Sequence, residues 1–382
     1  MEQKINLTRA EFGWVMANKV KAWSFVQIWD ANATSVIVEI QHVQPNSTRA
    51  NVFMDLLGRL QKHPLQYDFE VQQVLGLTDQ ECQADADLSR AVSALSTAIV
   101  EFQSIYQGVS MTTTLGGKQK ASQLLYANLN RYLRDVLGDR TPKAFGEAAE
   151  RAAREGFTIV KTDPFDEVRP HHSPSEISDT AALSLDRLKA MRTGGGPDLA
   201  LQVDCHGSFN VDTAAVIEEK LRELGVTWFE DPVREREMPG ATAKGAATSE
   251  VPVSVGGDSY GESVFSKMAN WGVKYTMQDV MRCGGVGVAA RSGQQLANRG
   301  IQISCHSPFG PLQKLVSAHA HAATPNPHAL EHSVWENDWR AELLDPPEQV
   351  QGGQLIFPGG VGSGASINWN TLERVGGVRW TP

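Results

Sequence analysis

The chain has 382 residues, of which 41% are hydrophobic and 21% charged, and a formal net charge of −9. That length buries a large core in one to three domains, and the balance is that of a globular protein. No Lys/Arg-rich block offsets the acidic excess, which disfavours nucleic acid as a partner, and no apolar run approaches the ~20 residues of a membrane span. The first residues, MEQKINLTRAEFGW, contain no apolar signal region. A cytoplasmic chain is therefore expected, with the sequons at Asn6, Asn32 and Asn46 as chance matches. Cys82, Cys205, Cys283 and Cys305 have no paired spacing, so neither a zinc site nor a disulfide framework is implied.

Residues 1–122 read as an α+β segment. Ser24–Trp29 and Ser35–Gln41 are rich in Val, Ile and aromatics, as strands are, whereas Ala50–His63 and Asp87–Tyr106 carry helical spacing. Trp14 and Trp23 either border a capping loop or pack this segment against the remainder of the chain. LGGKQK at Leu115–Lys120 marks a turn, since it lacks the first Gly and the Ser/Thr of a phosphate loop.

From Leu124 onward one unit recurs: an amphipathic helix, a glycine, a short apolar strand and a polar, often acidic, residue. Helix Pro142–Glu155 leads through Gly156 to Asp163, and helix Thr213–Leu224 through Gly225 to Asp231. Gly272 precedes the strand that runs to Asp279. Helix Ala289–Arg299 leads through Gly300 to His306. Glycine supplies the left-handed helix cap, and the apolar run after it is a strand buried on both faces. Strand ends fall near Tyr126, Lys161, Asp204, Glu230, Asp258, Asp279, His306 and Glu331. Eight such units predict a TIM-type (β/α) barrel over residues 123–335, whose chemistry sits at the strand ends. The Gly-rich segment 336–382 is expected to pack back on the amino-terminal segment.

In LQVDCHGSF at Leu201–Phe209, strand alternation turns Asp204 and His206 to one side and Cys205 to the other. Asp204, Glu230 and Asp258 end three successive strands, so their carboxylates converge on a common point or stand separately solvated at the barrel mouth. Convergent hard oxygen ligands without Cys favour Mg²⁺ over zinc.

These residues carry a resemblance to the enolase superfamily, in its mandelate racemase-like branch. The matching stretches are KTDPF at Lys161–Phe165, VDCHG at Val203–Gly207, WFEDPV at Trp228–Val233 and VGGDSYG at Val255–Gly261. MQDVMRCGGV at Met277–Val286, SCHSPFGP at Ser304–Pro311 and LEHS at Leu330–Ser333 come next in register, and YANLNR at Tyr126–Arg131 resembles the first barrel strand. The resemblance covers the whole barrel, and residues 1–122 fit the family's capping domain. It implies Mg²⁺ held by Asp204, Glu230 and Asp258, although the third ligand is usually Glu in this branch. It implies His306 as the base that removes the proton alpha to a carboxylate, with Asp279 fixing its tautomer. Glu331 is implied near the substrate carboxylate, as a possible protonated donor. Lys161 would neutralise charge there, with Asp163 as its partner or as a hydroxyl acceptor. Racemases of this branch carry Lys-x-Lys where this chain has Lys161-Thr162-Asp163, which disfavours two-base racemisation. The Asp204-x-His206 arrangement resembles that of acid-sugar dehydratases, in which the His protonates the departing 3-hydroxyl.

The implied activity is dehydration of a small-molecule sugar acid to a 2-keto-3-deoxy acid, a hydro-lyase reaction, with homo-oligomerisation permitted by the acidic surface. An epimerase, racemase or cycloisomerase using the same intermediate is the alternative, and a non-catalytic binding barrel a third reading. GVGVAA at Gly285–Ala290 matches a dinucleotide fingerprint but reads better as a tight turn within the barrel series. His171 and His172 lie in a loop that could touch a polyhydroxylated substrate. His319 and His321, two apart on a helix, do not share a face, and they lie with His328 and His332 around the last unit.

Overall fold

The computed structural model describes residues 3–234, 240–246 and 248–382. An amino-terminal cap is built on an antiparallel meander of β1 (Leu7–Met16), β2 (Ala22–Asp30) and β3 (Ser35–Ile40). Strand Val378–Trp380 from the carboxy terminus joins its outer edge beside β1. Gly13 makes room for this: a Cβ there would lie 2.5 Å from the ring of Trp369, which packs across β1. Sequence reasoning misses β1, because Thr8, Arg9 and Glu11 dilute its apolar alternation.

Helix Ala86–Gln107 lies between the cap sheet and the barrel. Asp85 caps its start by accepting from the amides of Asp87 and Leu88, and Gly108 ends it in the left-handed conformation. Val92, Leu95, Ile99 and Phe102 enter the cap core. On the barrel side, Ser93 Oγ and Thr97 Oγ1 accept from the amides of Gly284 and Val286 at 2.9 and 3.1 Å. A Cβ on Gly285 would approach the Ser93 carbonyl to 3.0 Å, so GVGVAA is a tight turn onto helix Val286–Ala297 that packs on the cap.

Glu101 on the same long helix is buried and accepts from the amide and hydroxyl of Ser363, pinning the Gly-rich loop near the carboxy terminus. Burial raises its carboxyl from 4.5 to about 7, against the two Ser363 hydrogen bonds. A folded-state value above the unfolded one contributes stability that is complete below 4.5 and lost as pH rises through about 7. Glu101→Gln is therefore expected to raise the melting temperature at about pH 8, by up to ~3 kcal/mol of stability, and to change it little at about pH 4. Thermal unfolding at the two pH values checks this.

The barrel strands are β4 (Ser122–Asn128), β5 (Ile159–Thr162), β6 (Ala200–Asp204) and β7 (Val226–Glu230). They continue with β8 (Val253–Val255), β9 (Tyr275–Thr276), β10 (Gln302–Ile303) and β11 (Leu330–Ser333). All eight are parallel, in the order β10-β9-β8-β7-β6-β5-β4-β11. The amide of His328 donates to the carbonyl of Ile303 and bridges the remaining seam between β10 and β11. Leu125, Ala127, Val160, Val203, Phe229, Val255 and Ile303 join the core beneath the helices. Alternation leaves Tyr126, Lys161, Gln202, Trp228, Ser254 and Ser304 facing the barrel axis. Helix bounds differ from the sequence reading by one to three residues, as at Val211–Glu223 and Val286–Ala297.

Trp23 is buried, edge-on to Trp339 and beneath the Arg340 guanidinium, which makes it a packing residue. His319 and His321 are also structural. His319 binds Thr112 and the Ser363 carbonyl, and His321 Nε2 accepts from the amide of Cys305. No helix among the described residues is long and apolar enough to cross a membrane.

Candidate active site

The ends of the parallel strands gather most of the candidate residues. Register places Asn128 beside Lys161, and Asp204 beside Glu230. Lys161 Nζ is fully buried, 2.9 Å from Glu230 Oε2 and 2.9 Å from Glu331 Oε1, so its ammonium bridges two carboxylates. Burial opposes that charge, but Glu230 and Glu331 outweigh it and raise the amine well above its ordinary value. The expected pairing of Lys161 with Asp163 is not what forms. Asp163 lies just past β5, and Arg134 and Arg140 hold its carboxylate at 2.7 and 3.1 Å.

Glu331 accepts from Asn128 Nδ2 at 2.5 Å and from the Ser307 amide at 2.7 Å, in addition to Lys161. Burial would raise its carboxyl, but Lys161 and His306 outweigh burial and hold it at about 2. Both Glu331 oxygens accept from these donors, an arrangement that suits an ionised carboxylate better than the protonated donor that was one expectation.

His306 and Asp279 stand just beyond β10 and β9, with Nδ1 2.9 Å from Oδ2. A carboxylate only accepts, so the Nδ1 proton points at Asp279 and Nε2 is left with its lone pair when the ring is neutral. Burial opposes protonation of His306, but the Asp279 hydrogen bond and the charges of Glu331 and Asp279 raise it from 6.5 to about 9.

His206 follows β6 through a left-handed residue, φ 48°, rather than by continued strand. Its side chain is 60% exposed, yet Nε2 lies 3.1 Å from Asp204 Oδ2 and Nδ1 3.8 Å from Asp163 Oδ2. Asp204 and His206 thus meet as strand alternation predicts, by a different backbone route. A cleft of about 240 Å³ opens beside them, with Arg134, Asp163, Arg169 and Arg234 in its walls. His171 and His172 stay near one another in the loop after β5, and His172 Nδ1 accepts from the Arg169 amide.

Asp258 departs from the expected ligand set. β8 ends at Val255, Gly256 turns the chain at φ 116°, and the Asp258 side chain is 89% exposed, 2.6 Å from Arg282 Nη1. Among the described residues no three His, Cys, Asp or Glu side chains are grouped as a metal site. Asp204 and Glu230 nevertheless suit a hard divalent cation. Burial, then the Asp204 charge, raises Glu230 to about 7 against the pull of Lys161. Asn130 Oδ1 and Ser254 Oγ, which neighbour this pair, are buried oxygens without a partner. Hard oxygens crowded in this way are stabilised by a cation.

Sequence reasoning passed over several residues that shape the site. Asn128 shares the Tyr126 face of the first barrel strand, a polar alternation that could have flagged it, whereas Asn130 stands two residues past the end of that strand. Gln41 and Gln313, which both reach Asp279, carry no sequence signal.

Residues 144–371 match the family described as Enolase C-terminal domain-like. Among curated proteins, D-gluconate dehydratase of Thermoproteus tenax is 24% identical over 74% of this chain, the match spanning only 56% of that protein's length. D-galactarolactone cycloisomerase of Agrobacterium fabrum is 26% identical over 74% of this chain and 72% of its own. The solved mandelate racemase/muconate lactonizing enzyme from Jannaschia sp. CCS1 superposes with a TM-score of 0.82 at 21% identity, over 99% of this chain and 98% of that one.

Proposed function

Because the chain belongs to the enolase superfamily, we propose that it is a Mg²⁺-dependent acid-sugar dehydratase, a hydro-lyase that converts a small sugar acid to a 2-keto-3-deoxy acid. The observation that carries this reading is the position of the two imidazoles. β6 and β10 stand four strands apart in a ring of eight, so His206 and His306 lie on opposite walls of one mouth. The dehydratase relative is consistent with it.

Mg²⁺ would be held by Asp204 and Glu230, with Asp258 joining once its exposed carboxylate leaves Arg282, and would supply positive charge to the substrate carboxylate. His306 Nε2 takes the proton at C2. Asp279 holds the resulting imidazolium, and Lys161 offsets negative charge at the substrate carboxylate. The C2 electron pair forms the C2–C3 double bond as the C3–O bond breaks. His206 delivers its proton to the departing hydroxyl, which leaves as water, and the enol product tautomerises to the 2-keto acid. Hydroxide is a poor leaving group, and this is why an acid opposite the base is needed.

The second reading, an epimerase or cycloisomerase that shares the C2 proton removal, is favoured by the cycloisomerase relative. Racemisation by a second base at Asp163 is disfavoured, since two guanidinium groups occupy that carboxylate.

The test is a screen of sugar acids with Mg²⁺ in deuterated water, reading 2-keto acid and C2 deuterium together. On the substrate so found, His206→Ala is expected to lower keto-acid formation by about 10²-fold or more while C2 exchange persists. Equal loss of both signals would remove His206 as a dedicated acid, and exchange without keto acid in the wild type would favour the epimerase reading.

A further inference from the structure

The cap contributes directly to the surroundings of the His306–Asp279 pair. Along β3 and just past it, Val38 and Ile40 enter the cap core, whereas Glu39 and Gln41 face the barrel. The Glu39 carboxylate accepts from the amides of Gly310 and Gln313 at 2.6 and 2.9 Å, at the start of helix Pro311–Ala322. Two residues on, Gln41 is buried, and its Nε2 donates to Asp279 Oδ2 at 2.6 Å, the same oxygen that pairs with His306. Gln313 Nε2 donates to Asp279 Oδ1 at 3.0 Å and to the His306 carbonyl at 3.1 Å, and the Met281 amide donates to Oδ1 at 2.9 Å. Asp279 therefore accepts from four donors and presents no lone pair to a proton.

The orientation of the Gln41 amide is set by its neighbours. Arg90 Nε, on the cap helix, lies 3.3 Å from Gln41 Oε1 and can only donate, while Asp279 can only accept. A flipped amide would face both with the wrong atom. Arg90 is in turn paired with Asp87, so the chain of contacts runs from the cap surface to the imidazole.

We propose that Gln41 is a positioning residue supplied by the cap, which orients the ionised Asp279 and, by sharing Oδ2, limits how strongly Asp279 holds the His306 imidazole. Seating of the cap and readiness of the base are then one event. The consequence for turnover rests on the reading of His306 as the base. Glu331, Lys161 and Asp231, at or next to the ends of barrel strands, are further charged groups that bear on His306, and no hydrogen bond or ion pair joins Gln41 to them among the described residues.

Gln41→Met keeps the length of the side chain and removes both polar atoms. The expected result is a fall in kcat of about ten-fold or more, the size of a lost hydrogen bond to an ionised partner, with KM within about two-fold. The His306 ring, followed by NMR in the full-length protein without substrate, should titrate at higher pH because Oδ2 is no longer shared. The acid limb of kcat/KM should move with it. Gln41→Leu removes the same two polar atoms with a different shape and should shift the ring titration in the same direction. It is the variant to rely on if Gln41→Met does not fold. An unmoved His306 titration in a folded variant overturns the proposal, as does a variant that loses only thermal stability. His306→Asn separates the two ideas: if it still exchanges the C2 proton, the base assignment fails, while the ring titration reports on Gln41 independently.

Discussion

His306→Asn is expected to abolish C2 proton exchange and to lower turnover by about 10²–10⁴-fold, in a protein that still folds and binds Mg²⁺. The imidazole is well placed for this role, because Asp279 directs the Nδ1 proton and leaves Nε2 facing outward. The same surroundings set the pH dependence. Burial disfavours the imidazolium, but Asp279 and Glu331 outweigh it and raise His306 to about 9. A base must be neutral to act, so kcat/KM should climb with pH through the neutral range. A cation at Asp204 and Glu230 favours the neutral ring and pulls the limb below 9. Asp279→Asn removes both the hydrogen bond and the charge, leaving burial dominant, so its limb should move toward or below the ordinary 6.5 while its maximum rate falls. A flat pH profile in the wild type, or exchange surviving in His306→Asn, would reject His306 as the base.

The second large effect is expected at Lys161. Its ammonium is fully buried between Glu230 and Glu331, and it is the group that makes that pair of carboxylates tolerable inside the barrel. Lys161→Met leaves them without that partner, and breaking a buried ion pair costs about 3–5 kcal/mol. The loss should be smaller at about pH 4, where the carboxyls take up protons, and larger at about pH 8. Mg²⁺ should recover part of the stability, raising the melting temperature of the variant by more than that of the wild type. Equal Mg²⁺ effects on the two proteins would mean that the cation does not bind among these carboxylates. Turnover should be lost with or without that recovery, because Lys161 also faces the substrate carboxylate in the proposed reaction.

The barrel was legible in the sequence because each strand is a short apolar run after a helix-ending glycine, as at Gly225 before Val226–Glu230, and these are local properties of the backbone. The proximity of Asp204 and His206 was expected from two-residue alternation, but a left-handed turn at His206, not continued strand, brings the two side chains together. Asp258 was a weaker inference. It stands three residues past its strand, beyond the reach of alternation, and a local turn with Arg282 as neighbour decided its direction.

The partners of Lys161 and Asp163 required the assembled barrel. Both residues belong to one short stretch, yet Lys161 pairs with β7 and β11 while Asp163 pairs with Arg134 and Arg140. The tie from Gln41 to Asp279 spans 238 positions in the chain. By itself, then, the sequence determined the order of the barrel elements, the parallel barrel and the kinds of groups at its mouth, since these arise from periodicity and helix caps. Which carboxylate faces which cation, and how the cap reaches the base, were decided only in the tertiary structure, because charge pairing depends on distances that chain packing alone sets.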